Sequence, residues 1–346
     1  MTRSSSLGLT TALLAALIGV PLASPARAAD AASHPTGLHV VGRIPGPDGG
    51  WDYASFDPHR RRVYVTHVDV VIAIDADSGK ANPAFAKGSH LHAAVPVPGT
   101  DVIVTTNSGD NTARIVSAVD GRELASIPTA HDADGAAYDP KSGLVVVICG
   151  DAGILTLIDP KAMKAVGTIT VGDDLEFGQA DGKGLFYVNV ANKNQVAVVD
   201  LAARKVLRRY DLTDCKRPTG LAYVAGDRVI AACGDGGVNI LEAASGKLIA
   251  KFKVGGFPDA VIYDAKRQLA FVPSGLGGTL SVIALTGPAD NTIIDTVPTQ
   301  LGARTGTVDP KTGRLYLPTA EYNPPVAAGQ RPTPKPGTFV VLVMGR

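Results

Sequence analysis

The seven histidines of this chain are unevenly placed, since all of them precede residue 132. His90 and His92 are separated by one residue, a spacing that puts both rings on one side of an extended strand. Imidazole nitrogens and carboxylate oxygens bind zinc and other transition metals, and an imidazole can also act as a general base near neutral pH. The candidate metal ligands are His67, His92 and His131. The alternative is solvated or hydrogen-bonded loop histidines, so a divalent metal is only a candidate cofactor.

Acidic and arginine side chains form a second candidate group for binding a ligand. The set is Asp52, Asp134, Glu176, Arg217, Asp259, Arg304 and Glu321. The two arginines could hold a ligand that carries a carboxylate or a phosphate, because guanidinium groups bind these anions well. The alternative is structural: acids and arginines that meet at the centre of a fold can form water-bridged links between neighbouring elements.

Short motifs of several enzyme classes are absent from the sequence. It contains no glycine-rich phosphate loop, no Gly-x-Ser-x-Gly and no His-Glu-x-x-His. It also lacks Cys-x-x-Cys-His, which argues against a covalent c-type haem. The sequence therefore gives no catalytic motif on which to base an enzyme assignment.

The first 28 residues predict a secretory signal peptide. Arg3 precedes an apolar stretch over residues 7–23, and Ala26-Arg27-Ala28 is a small-x-small cleavage site. Cleavage would leave residues 29–346 as one periplasmic or secreted domain without a membrane span, which we expect to be a monomer. Loss of Arg3 and Arg27 leaves 31 of the 33 basic side chains against 32 acidic ones, so no nucleic-acid partner is expected.

A sequence repeat organises the chain after the signal peptide. A turn rich in Asp, Pro and Gly precedes an apolar, mostly β-branched run about every 42 residues, seven times in all. The runs cover residues 63–66, 102–104, 144–147, 185–188, 229–231, 269–272 and 314–317. Turn signals divide each copy into short strands, and no segment shows a sustained helical period. The period predicts an all-β fold, a seven-bladed β-propeller with four-stranded blades.

The two ends of the chain are predicted to close the ring of blades. The seventh copy lacks a fourth strand after residues 339–343, whereas residues 38–44 form a spare strand before the first copy. Pairing them would remove an exposed sheet edge. Inter-blade loops and loops between second and third strands share one side of such a fold, so the candidate residues should surround one channel mouth. The proline-rich segment 321–337 should lie there as a lid or docking element, or as an inert loop.

The three cysteines leave the disulfide chemistry open. Cys215 precedes the first strand of the fifth copy and Cys233 ends its second strand, so these two could meet. The interpretation that the sequence favours is three unpaired cysteines that pack as small apolar residues.

Several motifs resemble one family of exported propellers. Tyr64-Val65-Thr66-His67 is close to the Tyr-Val-Thr-Asn signature of YVTN-repeat, or YncE-like, seven-bladed propellers. Residues 104–107 and 190–192 are weaker matches that retain the asparagine, and residues 218–222 and 257–261 resemble the segment that opens the family's blades. The resemblance covers the chain after the signal peptide. It implies the same fold and export, and it says little about a ligand.

Three functions fit these observations. The first is a periplasmic binding or scaffold module that presents its channel face to a protein or a small polar ligand. The second is a metal-assisted lactonase or lyase that uses the histidines and acids of the channel mouth. The third is a non-catalytic subunit of an exported redox system. We favour the first, because no nucleophile motif is present and because of the family resemblance.

Overall fold

The computed structural model describes residues 35–287, 290–323 and 332–346. Within these residues, 28 β-strands form seven four-stranded antiparallel sheets, and a 3₁₀ turn lies at Ala191–Lys193. The structure is a seven-bladed β-propeller, so the fold predicted from the repeat is confirmed. The predicted signal peptide and residues 324–331 of the proline-rich loop lie outside the described residues. In the described ranges, no helix is long and apolar enough to cross a membrane.

Each blade is one sheet whose strands are hydrogen-bonded in the order of the chain, apart from the shared seventh blade. Blade 1 contains β2 (Ala54–Asp57), β3 (Arg62–His67), β4 (Val70–Asp75) and β5 (Ala81–Lys87), and blade 2 contains β6 (Leu91–Pro96), β7 (Val102–Asn107), β8 (Thr112–Ser117) and β9 (Glu123–Pro128). Blade 3 contains β10 (Ala133–Asp139), β11 (Leu144–Cys149), β12 (Ile154–Asp159) and β13 (Lys164–Thr170), and blade 4 contains β14 (Leu175–Ala180), β15 (Leu185–Val190), β16 (Gln195–Asp200) and β17 (Lys205–Asp211). Blade 5 contains β18 (Pro218–Val224), β19 (Arg228–Cys233), β20 (Gly237–Glu242) and β21 (Leu248–Lys253), and blade 6 contains β22 (Ile262–Asp264), β23 (Leu269–Ser274), β24 (Thr279–Ala284) and β25 (Thr292–Pro298).

Blade 7 is shared between the two ends of the chain. Its strands are β26 (Thr307–Val308), β27 (Leu315–Thr319), β28 (Val340–Gly345) and β1 (His39–Pro45). The N-terminal strand β1 pairs antiparallel with β28, from His39 opposite Gly345 to Pro45 opposite Val340. The predicted closure is therefore confirmed, with the N-terminal strand one residue later than predicted.

The core lies between blades, and the strand patterns explain this. Second strands such as β11 and β19 are apolar and buried along nearly their whole length, because both of their faces are covered by other blades. Ile148 and Leu157 of blade 3 pack in this way against Phe186 and Val199 of blade 4. The outer strand β21 instead alternates between half-buried and exposed residues, which is typical of a sheet edge that faces water.

Two kinds of loop lie on the same side of the propeller, as the repeat predicted. The loop after the second strand donates a main-chain hydrogen bond to the loop before the first strand. Gly150 bonds in this way to Asp132 at 2.9 Å, and Gly234 bonds to Arg217 at 2.9 Å. In each of these blades, the bond holds the inter-blade loop beside the loop between the second and third strands.

Candidate functional site

One position near the start of each first strand lies at the channel mouth. In blades 2 to 6, the last residue of the second strand pairs with a residue near the start of the first strand, as Asn107 pairs with Leu91 and Cys149 with Ala133. The next residue along the chain is the one at the mouth. The repeat places the equivalent residues of blades 1 and 7. We name these seven residues the mouth ring: Asp52, His92, Asp134, Glu176, Thr219, Asp259 and Arg304.

In blades 2 to 5 the ring residue occupies a β-bulge. The strand register shifts between Leu91 and Ala94, Ala133 and Ala136, Leu175 and Gly178, and Pro218 and Gly220. A bulge inserts an extra residue, bends the strand and changes the direction in which a side chain projects. The bulges therefore allow polar side chains to leave the apolar stack of the blades.

Threonine hydroxyls fix the main chain of the ring. Thr66 of blade 1 donates to the carbonyl oxygen of His92 at 2.7 Å, and Thr106 of blade 2 donates to the carbonyl oxygen of Asp134 at 2.6 Å. Thr305 of blade 7 bonds the ring residue of blade 1 in the same way, at 2.7 Å. Each bond joins one blade to the next, so the spacing of neighbouring ring residues is set by the fold.

The imidazole of His92 lies between two carboxylates. Its Nδ1 is 2.6 Å from Oδ2 of Asp52 and 3.0 Å from Oδ1 of Asp134, while its Nε2 is 2.9 Å from Oγ of Ser108. The Ser108 hydroxyl is in turn 3.2 Å from Nδ1 of His90. We name Asp52, His92 and Asp134 the His92 sector. Their ligand atoms all lie within 4.8 Å of one another, and three successive blades supply one each.

On the other side of the ring, each carboxylate has one guanidinium partner. Nε of Arg304 donates to Asp259 at 3.0 Å, and Nη2 donates to the carbonyl oxygen of Trp51 at 2.8 Å. The Arg304 guanidinium also lies 5.6 Å from the centre of the Trp51 ring. Arg217 is 3.3 Å from Oε1 of Glu176. We name Glu176, Asp259, Arg217 and Arg304 the arginine sector.

The pKa shifts of the His92 sector reflect burial and the two carboxylates that face one imidazole. Burial opposes a charged imidazolium, but hydrogen bonds to Asp134 and Asp52 outweigh burial and raise the pKa of His92 to about 10. The pKa of Asp134 is also raised, because burial and the charge of Asp52 outweigh the hydrogen bond from His92. The excess of acid is a matter of geometry, since two carboxylates face one ring nitrogen.

The arginine sector also contains perturbed carboxyl groups. Burial, reinforced by the charges of Asp134 and Asp259, raises the pKa of Glu176 to about 9. Glu176 is therefore protonated at neutral pH in the absence of a cation. Burial raises the pKa of Asp259 to about 6, although Arg304 opposes the rise.

Tyr53, next to Asp52, adds a phenol to the channel. Its ring packs against Phe177 with centroids 4.9 Å apart. Burial raises its pKa well above the ordinary value, and the charges of four ring acids raise it further: Asp259, Asp134, Asp52 and Glu176. The side chain is half-buried, and the phenol lies within electrostatic reach of all four carboxylates.

Of the ten residues that the sequence singled out, the structure places six in the mouth ring: Asp52, His92, Asp134, Glu176, Asp259 and Arg304. Arg217 lies at the rim with its side chain 61% exposed. Glu321 instead pairs with Lys335 at 3.2 Å.

The other two candidate histidines lie outside the ring. His67 ends β3, is 2% exposed, and packs edge-on against Phe339 with ring centroids 4.7 Å apart. Burial lowers its pKa, which favours the neutral imidazole. His131 is on the surface, with its side chain 69% exposed and 3.9 Å from Asp151. Among the described residues, the one group of three potential metal ligands contains His92 and neither of these.

Three residues at the site were not among the sequence candidates. Thr219 occupies the ring position of blade 5, and alignment of the repeats would have found it. Ser108 follows the last residue of β7, in a loop that the repeat assigned to the channel face. Tyr53 follows Asp52, and its position beside a candidate acid was the only available signal.

A disulfide joins Cys215 to Cys233, with Cα atoms 5.3 Å apart, while Cys149 is free and buried. The interpretation that the sequence favoured, three unpaired cysteines, is wrong for this pair. The reason is the strand register: Cys233 pairs with Pro218, so the inter-blade loop returns Cys215 to its side. The disulfide therefore anchors the loop that carries Arg217.

The fold is shared with many solved structures, whereas no family model and no curated protein matches the chain. The RRP9 WD40 repeats superpose with a TM-score of 0.72 at 11% identity, covering 88% of this chain and 97% of that one. A chain of the mitotic checkpoint complex gives a TM-score of 0.69 at 14% identity, covering 96% and 99%. A chain of Kuenenia stuttgartiensis hydrazine synthase gives 0.68 at 15% identity, covering 81% and 95%. At these identities the likeness shows the fold alone, a WD40-like β-propeller.

Proposed function

We propose that this chain is an exported binding module that holds a cation, or the cationic group of a ligand, at its mouth ring. The observation that carries the proposal is the composition of the ring. Four of its seven positions are carboxylates, and they converge on one channel mouth. β-Propellers commonly act as binding or scaffold modules, and a channel mouth is a concave surface with convergent polar groups.

The arginines do not favour an anionic ligand. Arg304 already bonds Asp259 and the main chain of Trp51, and Arg217 contacts both Asp174 and Glu176. An anion would have to displace these partners and then face the remaining carboxylates. A cation would instead offset the burial, and the charges of Asp134 and Asp259, that raise the pKa of Glu176.

Export and membership of the YVTN-repeat, or YncE-like, propellers are parts of the same proposal. The motif at residues 64–67 forms the end of β3, where a blade motif belongs. The disulfide between Cys215 and Cys233 is consistent with an oxidising compartment such as the periplasm. A signal peptide over residues 1–28 would provide the route.

Thermal unfolding with defined probes tests the cation proposal. We expect Mn²⁺ or spermidine to raise the melting temperature of the mature protein and sodium succinate to have no effect. The double variant Asp52→Asn/Asp134→Asn should lose the shift. The matched control Asp101→Asn/Asp211→Asn, at two exposed sites, makes the same chemical change and should keep it. Stabilisation by succinate alone, or an equal loss in both variants, would overturn the proposal.

A metal-assisted hydrolase or lyase is the second candidate function. The observation in its favour is that Asp52, His92 and Asp134 present three potential ligands to one point, with Glu176 protonated at neutral pH on the same ring. Three protein ligands with an open position are typical of catalytic metal sites. Metal-dependent hydrolysis of a simple lactone, lost in Glu176→Gln with metal binding retained, would support this function. Metal binding without turnover would exclude lactone hydrolysis and leave the binding module.

A further inference from the structure

We propose that the His92 sector is a binding site for a divalent transition-metal ion. Its ligands would be Nδ1 of His92 and one carboxylate oxygen each from Asp52 and Asp134. This inference rests on the proposed cation binding at the mouth ring and names the cation.

The hydrogen-bond count at His92 is the first argument. Nε2 faces the Ser108 hydroxyl, while Nδ1 faces two carboxylate oxygens at 2.6 and 3.0 Å. A ring nitrogen carries at most one proton, and a hydrogen bond weakens steeply away from linear geometry. One N–H therefore cannot serve both oxygens well. A metal ion in place of that proton would bind the nitrogen and both oxygens at once.

The spacing of the three ligands is the second argument. Metal bonds of about 2.0–2.2 Å to nitrogen and oxygen place adjacent ligand atoms about 3.0–3.4 Å apart in octahedral or tetrahedral geometry. The distance of 3.0 Å between His92 and Asp134 already falls in this range. The 2.6 Å distance to Asp52 requires an outward movement of a few tenths of an ångström, which a side-chain rotation provides.

The surroundings of His92 provide the orientation that a metal ligand needs. A metal-bound histidine usually donates its other ring N–H to a fixed acceptor, which sets the tautomer. Oγ of Ser108 is such an acceptor at 2.9 Å, and its own hydroxyl lies 3.2 Å from Nδ1 of His90. Thr66 and Thr106 hold the main chain of the sector on either side.

The donor set selects the class of metal. One imidazole nitrogen with two carboxylate oxygens suits Zn²⁺, Mn²⁺ and their first-row neighbours, whereas Ca²⁺ and Mg²⁺ prefer oxygen ligands alone. The arginine sector is the internal contrast, because Asp259 is committed to Arg304 and Glu176 is contacted by Arg217. The metal is therefore expected at one side of the ring only.

Isothermal titration of chelator-treated, disulfide-intact mature protein with ZnCl₂ and MnCl₂ tests the site. We expect one ion per chain, with affinity reduced about 100-fold or more in His92→Ala and about tenfold or more in Ser108→Ala. His131→Ala, an exposed histidine of the same face, is the matched control and should bind like the wild type. Absence of binding by the wild type, or an equal loss in His131→Ala, would overturn the inference.

A measurement on the wild type alone guards against a variant that does not fold. Pulsed EPR of the Mn²⁺-loaded protein should show ¹⁴N coupling from one imidazole, and coordination by oxygen alone would overturn the inference. Spermidine distinguishes a failure of the metal site from a failure of the proposed function. If spermidine stabilises the wild type and neither metal binds, the metal site is wrong and cation binding stands. If spermidine and both metals fail, both are wrong.

Discussion

Apart from Arg217 at the rim, the residues of the His92 sector and the arginine sector occupy the same position of different blades, but the two sectors balance their charges differently. In the His92 sector, two carboxylates converge on one imidazole nitrogen. In the arginine sector, Asp259 pairs with Arg304, and Glu176 is contacted by the exposed Arg217, which also contacts Asp174. The same backbone frame therefore supports a structural ion pair on one side and an unbalanced group of ligands on the other.

Because of this difference, we expect stability and binding to depend on different sectors of the mouth ring. A partly buried ion pair whose partners match is costly to break, because the remaining charge is left uncompensated. Removing one of two carboxylates around His92 leaves a matched pair, so the fold should tolerate it. Variants that destabilise the propeller are expected in the arginine sector, and variants that abolish binding in the His92 sector.

The largest expected effect on stability is that of Asp259→Asn. It leaves Arg304 partly buried without its carboxylate, so we expect the free energy of unfolding to fall by about 3 kcal/mol or more. The same change in the other sector, Asp52→Asn, should cost less than about 1 kcal/mol, because His92 keeps Asp134. Urea unfolding at pH 7.5 measures both. Equal losses would show that the two sectors do not differ in the way proposed.

The disulfide should stabilise the arginine sector without affecting the other. Cys215 and Cys233 close an 18-residue separation, for which loop entropy gives about 3 kcal/mol. The variant Cys215→Ser/Cys233→Ser should lose this amount and keep its metal affinity. Cys149→Ala, at the position of blade 3 equivalent to Cys233, is the control for replacing a buried cysteine. If the double variant is no less stable than this control, the disulfide has no such role.

The raised pKa of Glu176 predicts that the stability of the metal-free protein depends on pH. Its pKa is about 9 when folded against an ordinary value of 4.5, so the folded state binds this proton more tightly than the unfolded state. The stabilisation is fully present below pH 4.5 and is lost as the pH rises through 9. Between pH 5 and 8 the free energy of unfolding of the wild type should therefore fall by at least about 1 kcal/mol more than that of Glu176→Gln. Parallel stability curves for the two proteins would contradict the shift.

The smallest expected effect is that of Arg217→Ala. The guanidinium is 61% exposed and lies at the rim, so it should repel an incoming cation only weakly. We expect the metal affinity to rise by about two- to fivefold at low ionic strength and the gain to disappear in high salt. Arg217→Lys keeps the charge and should match the wild type. A weaker affinity in Arg217→Ala would mean that the arginine contributes to binding.

Much of the frame could be predicted from the sequence, because the blade signals are local. Each turn and apolar run defines a hairpin on its own, and the spare strand at residues 38–44 lies within one residue of β1. The same period brought Asp52, Asp134 and Asp259 to one face, where the structure also has them. The fold and the faces of its loops follow from short-range patterns.

The pairing of side chains within that face could not be predicted. His131 and His92 were equivalent candidates, but His92 occupies a bulge that turns its ring to the channel, whereas His131 lies before Asp132 in an exposed bend. His67 is buried against Phe339, a residue of the shared seventh blade. Bulges and contacts between distant segments leave no local pattern, and the Cys215–Cys233 bond was open for the same reason.

Anomalous X-ray diffraction from a crystal grown with MnCl₂ or ZnCl₂ would locate the metal ion itself. We expect one anomalous peak at about 2.0–2.2 Å from Nδ1 of His92 and from one oxygen each of Asp52 and Asp134, and none between Asp259 and Arg304. A peak bound only by the arginine sector, or Nδ1 of His92 bonded to both carboxylates with no metal peak beside it, would show that the His92 sector is not a metal site.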